Sequence, residues 1–339
     1  MVRAIVLGAA LAGLALGAGS AVNGCWAWDA AAYGWISGIA IEMLPDTVPA
    51  FVHAPEAEGA IAKLAREPAE AKGEVDGAQR NPGYHVDLAD NAQVMGVVPL
   101  ARPLQTRQAY DAELKAKGVS QVQAGYLPYP IMDGWNRLRE DFAYWRALTK
   151  AIETAETPEE RAWFEAERRR RETRTIGDVG IWSRYVGAAS DPLNATVHFN
   201  GWGDFPNPNG YTDSKNLRAY FEGEFVRRNL SRAAIAAAVK PYRCCSAPIE
   251  IHTTDLLFDS FAEVVWLYRL EKDGAFTNGH ARGIAFATTR LATGATALRD
   301  MIAQAWRKSD VPLVGNPGVN VNDIENGKVR ATRALFGAD

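Results

Sequence analysis

The residues able to do chemistry fall at a few separated points of the chain. His85 stands in HVDL, with the carboxylate of Asp87 two positions on. An imidazole beside an acid can hold a metal or move a proton, and it can equally be a satisfied structural histidine. Glu222 follows Arg218 by four residues in RAYFEGEF, the helical spacing of a surface ion pair. Between these lies WSRYVGAASDPLNATVHFNGWGDFPNPNGY, from Trp182 to Tyr211. Its helix-like start breaks at Asp191-Pro192 into a loop dense in Gly, Asn, Pro and aromatic residues. So many special residues in one connector suggest a corner shaped to hold something. Within it, His198 reads as loop packing, with a rim or ligand role as the alternative, and Asp191 reads as a turn cap.

These points need elements to position them, and the elements are helices. Helical patterns cover Trp28–Leu44, stopped by Pro45, then Gly59–Pro68 and Leu127–Ala155. In the last of these Trp135, Leu138, Phe142, Trp145 and Leu148 recur at three- and four-residue steps. Thr157 as cap, Pro158 at the first helical position and Glu160 as a capping-box partner open a further run to Ala189, expected as two helices broken near Gly177. Asn216–Asn229, the run from Ser231 up to Pro241, Thr253–Gly274 and Gly279–Asp310 complete the set. Strand signals are sparse, and NPGYHVDL is a short strand or an extended loop. The reading is one all-α, multi-helix domain over residues 28–339, with a loop-rich tail from about residue 311.

Composition narrows the setting. Arg3 followed by AIVLGAALAGLALGAG is a charged start and an apolar run too short to span a bilayer, the pattern of a signal peptide. Cys25 and Ala27 place small residues before a cut at Trp28. The expected product is an exported protein, periplasmic or secreted, with residues 1–27 removed. That removal takes away Arg3 and no acid, so the formal charge moves from −3 to −4. VNGC loosely resembles a lipoprotein box, which makes a lipid on Cys25 the alternative. No other apolar run is long enough to span. The charge gives no basic field for non-specific nucleic-acid binding, and ERRRRETR reads as a solvated helix face. Cys244 and Cys245 are adjacent, so a mutual disulfide is strained and no disulfide framework follows.

The order of these segments resembles the zinc-dependent nuclease and phospholipase C family, the S-one/P-one type single-strand nucleases and their bacterial phospholipase relatives. WDAAAYGWISGIA, REPAEAKG, GYHVDLADN, YVGAASDPLNATVHFNGWGDFPNPNGYT and RAYFEGEF carry the resemblance, which extends over most of residues 28–339. It implies an all-α domain of the phospholipase C/P-one nuclease type, with three zinc ions held by a terminal Trp and a set of His and acidic ligands. Carried over singly, Trp28, His85 and Glu222 match ligand positions. Tyr33 stands where the first His belongs, Ala69 at an Asp, Arg184 at a helix His, Ala188 at the Asp one turn later, Asn194 at a His and Arg218 at the last His. Alanine offers no ligand and arginine repels a cation. The expectation is therefore a metal-depleted homologue that holds no zinc cluster, with zinc retained only if Trp28, His85 and Glu222 keep a residual site. Its cleft would bind a phosphate-containing or other anionic ligand through Arg184, Arg218, Tyr33, Asn194 and His198, with the two arginines turned inward to compensate Glu222. An active phosphoric-ester hydrolase with a reduced metal site, and a protein-interaction scaffold using the ten tryptophans, are the alternatives.

Overall fold

The computed structural model describes residues 28–67, 81–243, 247–277 and 279–337. The expected signal segment, Ala69, and Cys244 and Cys245 lie outside these residues. What is described is mostly helical, as the periodicities require.

Helix α1 (Ala30–Glu42) is the centre of the domain. Asp29 caps it, accepting from the Ala32 N–H. The helix is apolar on every side, and Ile36, Ile39 and Ile41 are fully buried. Burying each is worth roughly 1.5–3 kcal/mol. After the single turn α2 (Ala50–His53), α3 (Pro55–Arg66) packs on α1. A short hairpin, β1 (Gln93–Val94) and β2 (Val98–Pro99), follows the His85 segment. The expected strand there is instead a 3₁₀ turn, Pro82–Tyr84, running into extended chain. Helices α4 (Arg107–Ala116) and α5 (Gln121–Ala124) lead to α6 (Pro128–Glu153).

Helix α6 lies along α7 (Pro158–Ala189), the most extensive helix pair of the molecule. The expected break at Gly177 is absent: α7 is continuous over 32 residues. An exposed helical glycine costs about 1 kcal/mol relative to alanine, and the burial of Thr175, Val179 and Trp182 around it outweighs that. At its start Thr157 accepts from the Glu160 N–H, but the Glu160 carboxylate accepts from Glu156, one residue before the expected box partner. The basic run is also less solvated than expected. Arg171 pairs with buried Asp141 at 2.8 Å and lies over the Tyr144 ring, while Arg170 faces water.

The segment around Glu222 is one rod in three pieces, here α8: Leu217–Ala219 α-helical, Tyr220–Phe225 π-helical and Val226–Asn229 α-helical. Helix α9 (Arg232–Ala238) follows. The expected single helix over Thr253–Gly274 is two, α10 (Ile249–Ala262) and α11 (Val264–Lys272), with the turn at Glu263. That turn lets α11 bring Tyr268 under the aromatic loop, where its hydroxyl donates to the His198 carbonyl at 2.6 Å. Helix α12 (Ala281–Arg307) packs on α1, α6 and α7. The tail is less loop-like than expected. β3 (Leu313–Val314) pairs with β4 (Val319–Asn320), and α13 (Val321–Glu325) follows. Val314, Val321, Ile324 and Leu335 form a second small core with Ala147, Leu148 and Phe164 of α6 and α7. Among the described residues, no helix is long and apolar enough to cross a membrane.

Candidate functional site

The separated points of the sequence converge where the start of α1, the end of α7 and α8 meet. The backbone N–H of Asp29 donates to the Glu222 carbonyl inside the π turn. The Trp28 ring packs against Phe221, and its indole N–H donates to Ser190 just past α7. From the other side, the Val86 N–H donates to the Asn194 carbonyl at 2.9 Å, fastening the His85 segment to the 3₁₀ turn Pro192–Asn194. Gly125, at φ +75°, passes so close to His85 that a Cβ there would collide with its carbonyl and ring.

At the centre is a buried ionic cluster. Arg218 Nε lies 2.8 and 3.1 Å from the two Glu222 oxygens, and its Nη2 donates to Asn194 Oδ1 at 2.6 Å. Both charged side chains are almost fully buried, at 2% and 4% exposure, so this is not the surface pair that the four-residue spacing suggests. The Asn194 amide donates to the Ala188 carbonyl at 3.1 Å. Asp191 caps the 3₁₀ turn through Leu193 as expected, and it also does something the sequence did not reveal. Its carboxyl group lies beside that of Glu222, close enough for the two acids to act on each other. Burial raises both acids above the ordinary carboxylate range, and Arg218 only partly offsets this. Arg290 holds the adjoining backbone, donating to the Ser190 carbonyl and the Ser260 hydroxyl.

Arg184 is placed differently from Arg218. Its residue is 8% exposed, and its guanidinium lies 5.5 Å over the Tyr84 ring. Neither a hydrogen bond nor an ion pair joins it to another described residue. Tyr84 stacks on Tyr185 with centroids 4.6 Å apart. Tyr33 lies against Gly187 of α7, close enough to feel Arg184, Tyr84, Glu222 and Asp191. Burial first, and then the Tyr84 phenol and the two acids, hold its hydroxyl well above the usual phenol range, so it is a neutral donor. The expected inward turn of the arginines thus divides: Arg218 compensates Glu222, whereas Arg184 pairs with no acid among the described residues.

His198 is a loop-packing residue here. Its ring stacks on Trp202 at 3.8 Å, with Nδ1 at the Trp202 carbonyl and Nε2 at Asp90. His85 Nδ1 is 3.1 Å from Asp87. Zinc does not fit this donor set. The Arg218 guanidinium sits on the Glu222 carboxylate where a cation would sit, and the described residues contain no group of three His, Cys, Asp or Glu able to hold a metal. Tyr84 and Tyr185 were missed in the sequence because they flank the residues matched to ligands, His85 and Arg184, and a pattern of ligands alone does not mark them.

Against known proteins, the chain matches no family model, no curated protein and no solved structure. The arrangement itself defines a helical domain with a buried arginine–carboxylate cluster beside a stacked tyrosine pair.

Proposed function

We propose that the chain is an exported relative of the zinc-dependent nuclease and phospholipase C family whose metal site has given way to an internal arginine. Its cleft binds a phosphate-bearing or other anionic ligand without hydrolysing it. Arg184 carries this reading. The residue is 8% exposed, and its guanidinium, without an acceptor among the described residues, is left to take its negative charge from a ligand. Tyr33 beside it offers a neutral hydroxyl, and Tyr84 supports the guanidinium from below. Planar, charge-assisted recognition of phosphate is what an arginine so held does best. The scaffold reading has less support. Among the described tryptophans only Trp266 is strongly exposed, at 42%, and Arg282 lies over its ring.

Calorimetry with inorganic phosphate, glycerol phosphate and a mononucleotide tests the reading. Saturable binding that Arg184→Met abolishes is the expected result. Zinc content of protein purified without chelator, and turnover of single-stranded DNA, phosphatidylcholine and a chromogenic phosphodiester, test the alternative. Two or three zinc ions per chain, or turnover of any of the three, would replace this reading with that of an active hydrolase.

A further inference from the structure

A cavity lies beside α8, away from the buried cluster. It encloses about 260 Å³ and is lined by Ser214, Leu217, Tyr220, Glu271, Phe276 and Thr277, together with Asn216 and Gly274. Its walls are largely apolar, from Leu217, Tyr220 and Phe276. No lining residue is basic, and the one charged group is the Glu271 carboxylate. Three nearby cations are engaged elsewhere, Lys272 at the Asn209 carbonyl, Arg269 at the Tyr211 hydroxyl and Arg282 at Asp273, while Lys215, between Ser214 and Asn216, is exposed. The polar rim is partly used up as well. The Tyr220 hydroxyl donates to the Phe276 carbonyl at 2.7 Å, which fixes the ring in the wall, and Thr277 donates to the Gly274 carbonyl.

From this geometry we infer that the cavity is a binding site for a small organic ammonium group. The Glu271 carboxylate supplies the counter-charge, and the Tyr220 and Phe276 rings supply apolar and π contact. A half-buried acid with no ion-pair partner among the described residues favours a cationic guest, and aromatic faces add attraction for it that a neutral guest lacks. Burial alone raises the Glu271 carboxyl above its ordinary range, and no nearby base pulls it back. The volume suits a head group of a few heavy atoms rather than a drug-sized molecule. The site stands independently of the anion reading, since Tyr220 opens the π turn and Arg218 and Glu222 belong to the buried cluster.

The test is calorimetry on the whole protein with propylammonium and tetramethylammonium chloride, and with propan-1-ol as a neutral control. The two cations separate recognition through N–H donors from recognition through ring faces. Saturable binding of at least one cation is expected, with no binding of propan-1-ol and a tenfold or greater loss in Glu271→Gln. Glu271→Gln replaces a partly exposed side chain with its isostere, and its melting curve checks the fold. On the unmodified protein propan-1-ol must not displace the bound cation. No saturable binding of either cation, equal binding of propan-1-ol, or a Glu271→Gln affinity within tenfold of wild type would overturn the assignment.

Discussion

Replacing Arg218 by Met tests how the cluster is held together. Met keeps much of the apolar stem and removes the guanidinium. Glu222, 4% exposed, then loses a partner at 2.8 Å, and Asn194 Oδ1 loses its donor at 2.6 Å. Removing one member of a buried pair costs about 3–5 kcal/mol. The lost charge-assisted hydrogen bond, worth about 1.5–3 kcal/mol by itself, falls within that total because the groups act as one network. Burial already raises the Glu222 carboxyl, so the variant can limit the loss by protonating it. Its folded-state carboxyl then rises further. A raised acid keeps its stability below the unfolded value and loses it as pH rises through the folded one. Arg218→Met is therefore expected to be destabilised by about 3–5 kcal/mol at pH 8, and clearly less at pH 5. Adding Glu222→Gln removes the uncompensated charge and restores at least about 1 kcal/mol at pH 8. Urea unfolding of the four proteins of this cycle at both pH values measures each quantity. A single-variant loss under about 1 kcal/mol, or additive effects at pH 8, would refute the picture of a buried, mutually dependent pair.

Arg184→Met is expected to have the opposite effect in the absence of ligand. It should raise the melting temperature slightly while losing the stabilisation that phosphate gives wild type, about 2.7 kcal/mol at a hundred times Kd; thermal melts with and without phosphate check both. Gly134→Ala places a Cβ inside contact distance of the Trp182 indole, which is anchored by its N–H to the Ile131 carbonyl. The α6–α7 pair should open, for a loss of about 1–3 kcal/mol in urea unfolding. Asp141, buried under Arg171, has its carboxyl raised by burial to about 6. Its contribution is present below the unfolded carboxylate range and fades as pH rises from about 4 to about 6, by about 3 kcal/mol. The stability difference between wild type and Asp141→Asn should shrink over that interval, and a constant difference from pH 4 to 7 would contradict it.

Much of the frame was legible in the chain. The three- and four-residue recurrence of Trp135, Leu138, Phe142 and Leu148 fixed the buried face of α6, because only one face of a helix can meet a neighbour. Thr157 and Pro158 fixed the start of α7, because the first turn needs an acceptor and tolerates a missing N–H. The positions singled out around the site, Trp28, Tyr33, His85, Arg184, Asn194, Arg218 and Glu222, are all buried at the meeting of α1, α7 and α8 or on the segments fastened to them.

Other features depend on contacts between elements, which spacing along one element cannot state. Gly177 carries a helix-breaking tendency of about 1 kcal/mol, but α3 and α6 pack along α7 and keep it unbroken. Arg218 and Glu222 are spaced for a surface pair, and only the packing of α1, α7 and the π turn around them makes the pair a buried one. Asp191 is a turn residue by sequence and a buried neighbour of the Glu222 carboxyl in the fold. Arg184 and Arg218 are the same residue type on neighbouring walls. Tertiary structure gives one a carboxylate and leaves the other facing a tyrosine ring, because burial fixes which acceptors lie within reach of each guanidinium.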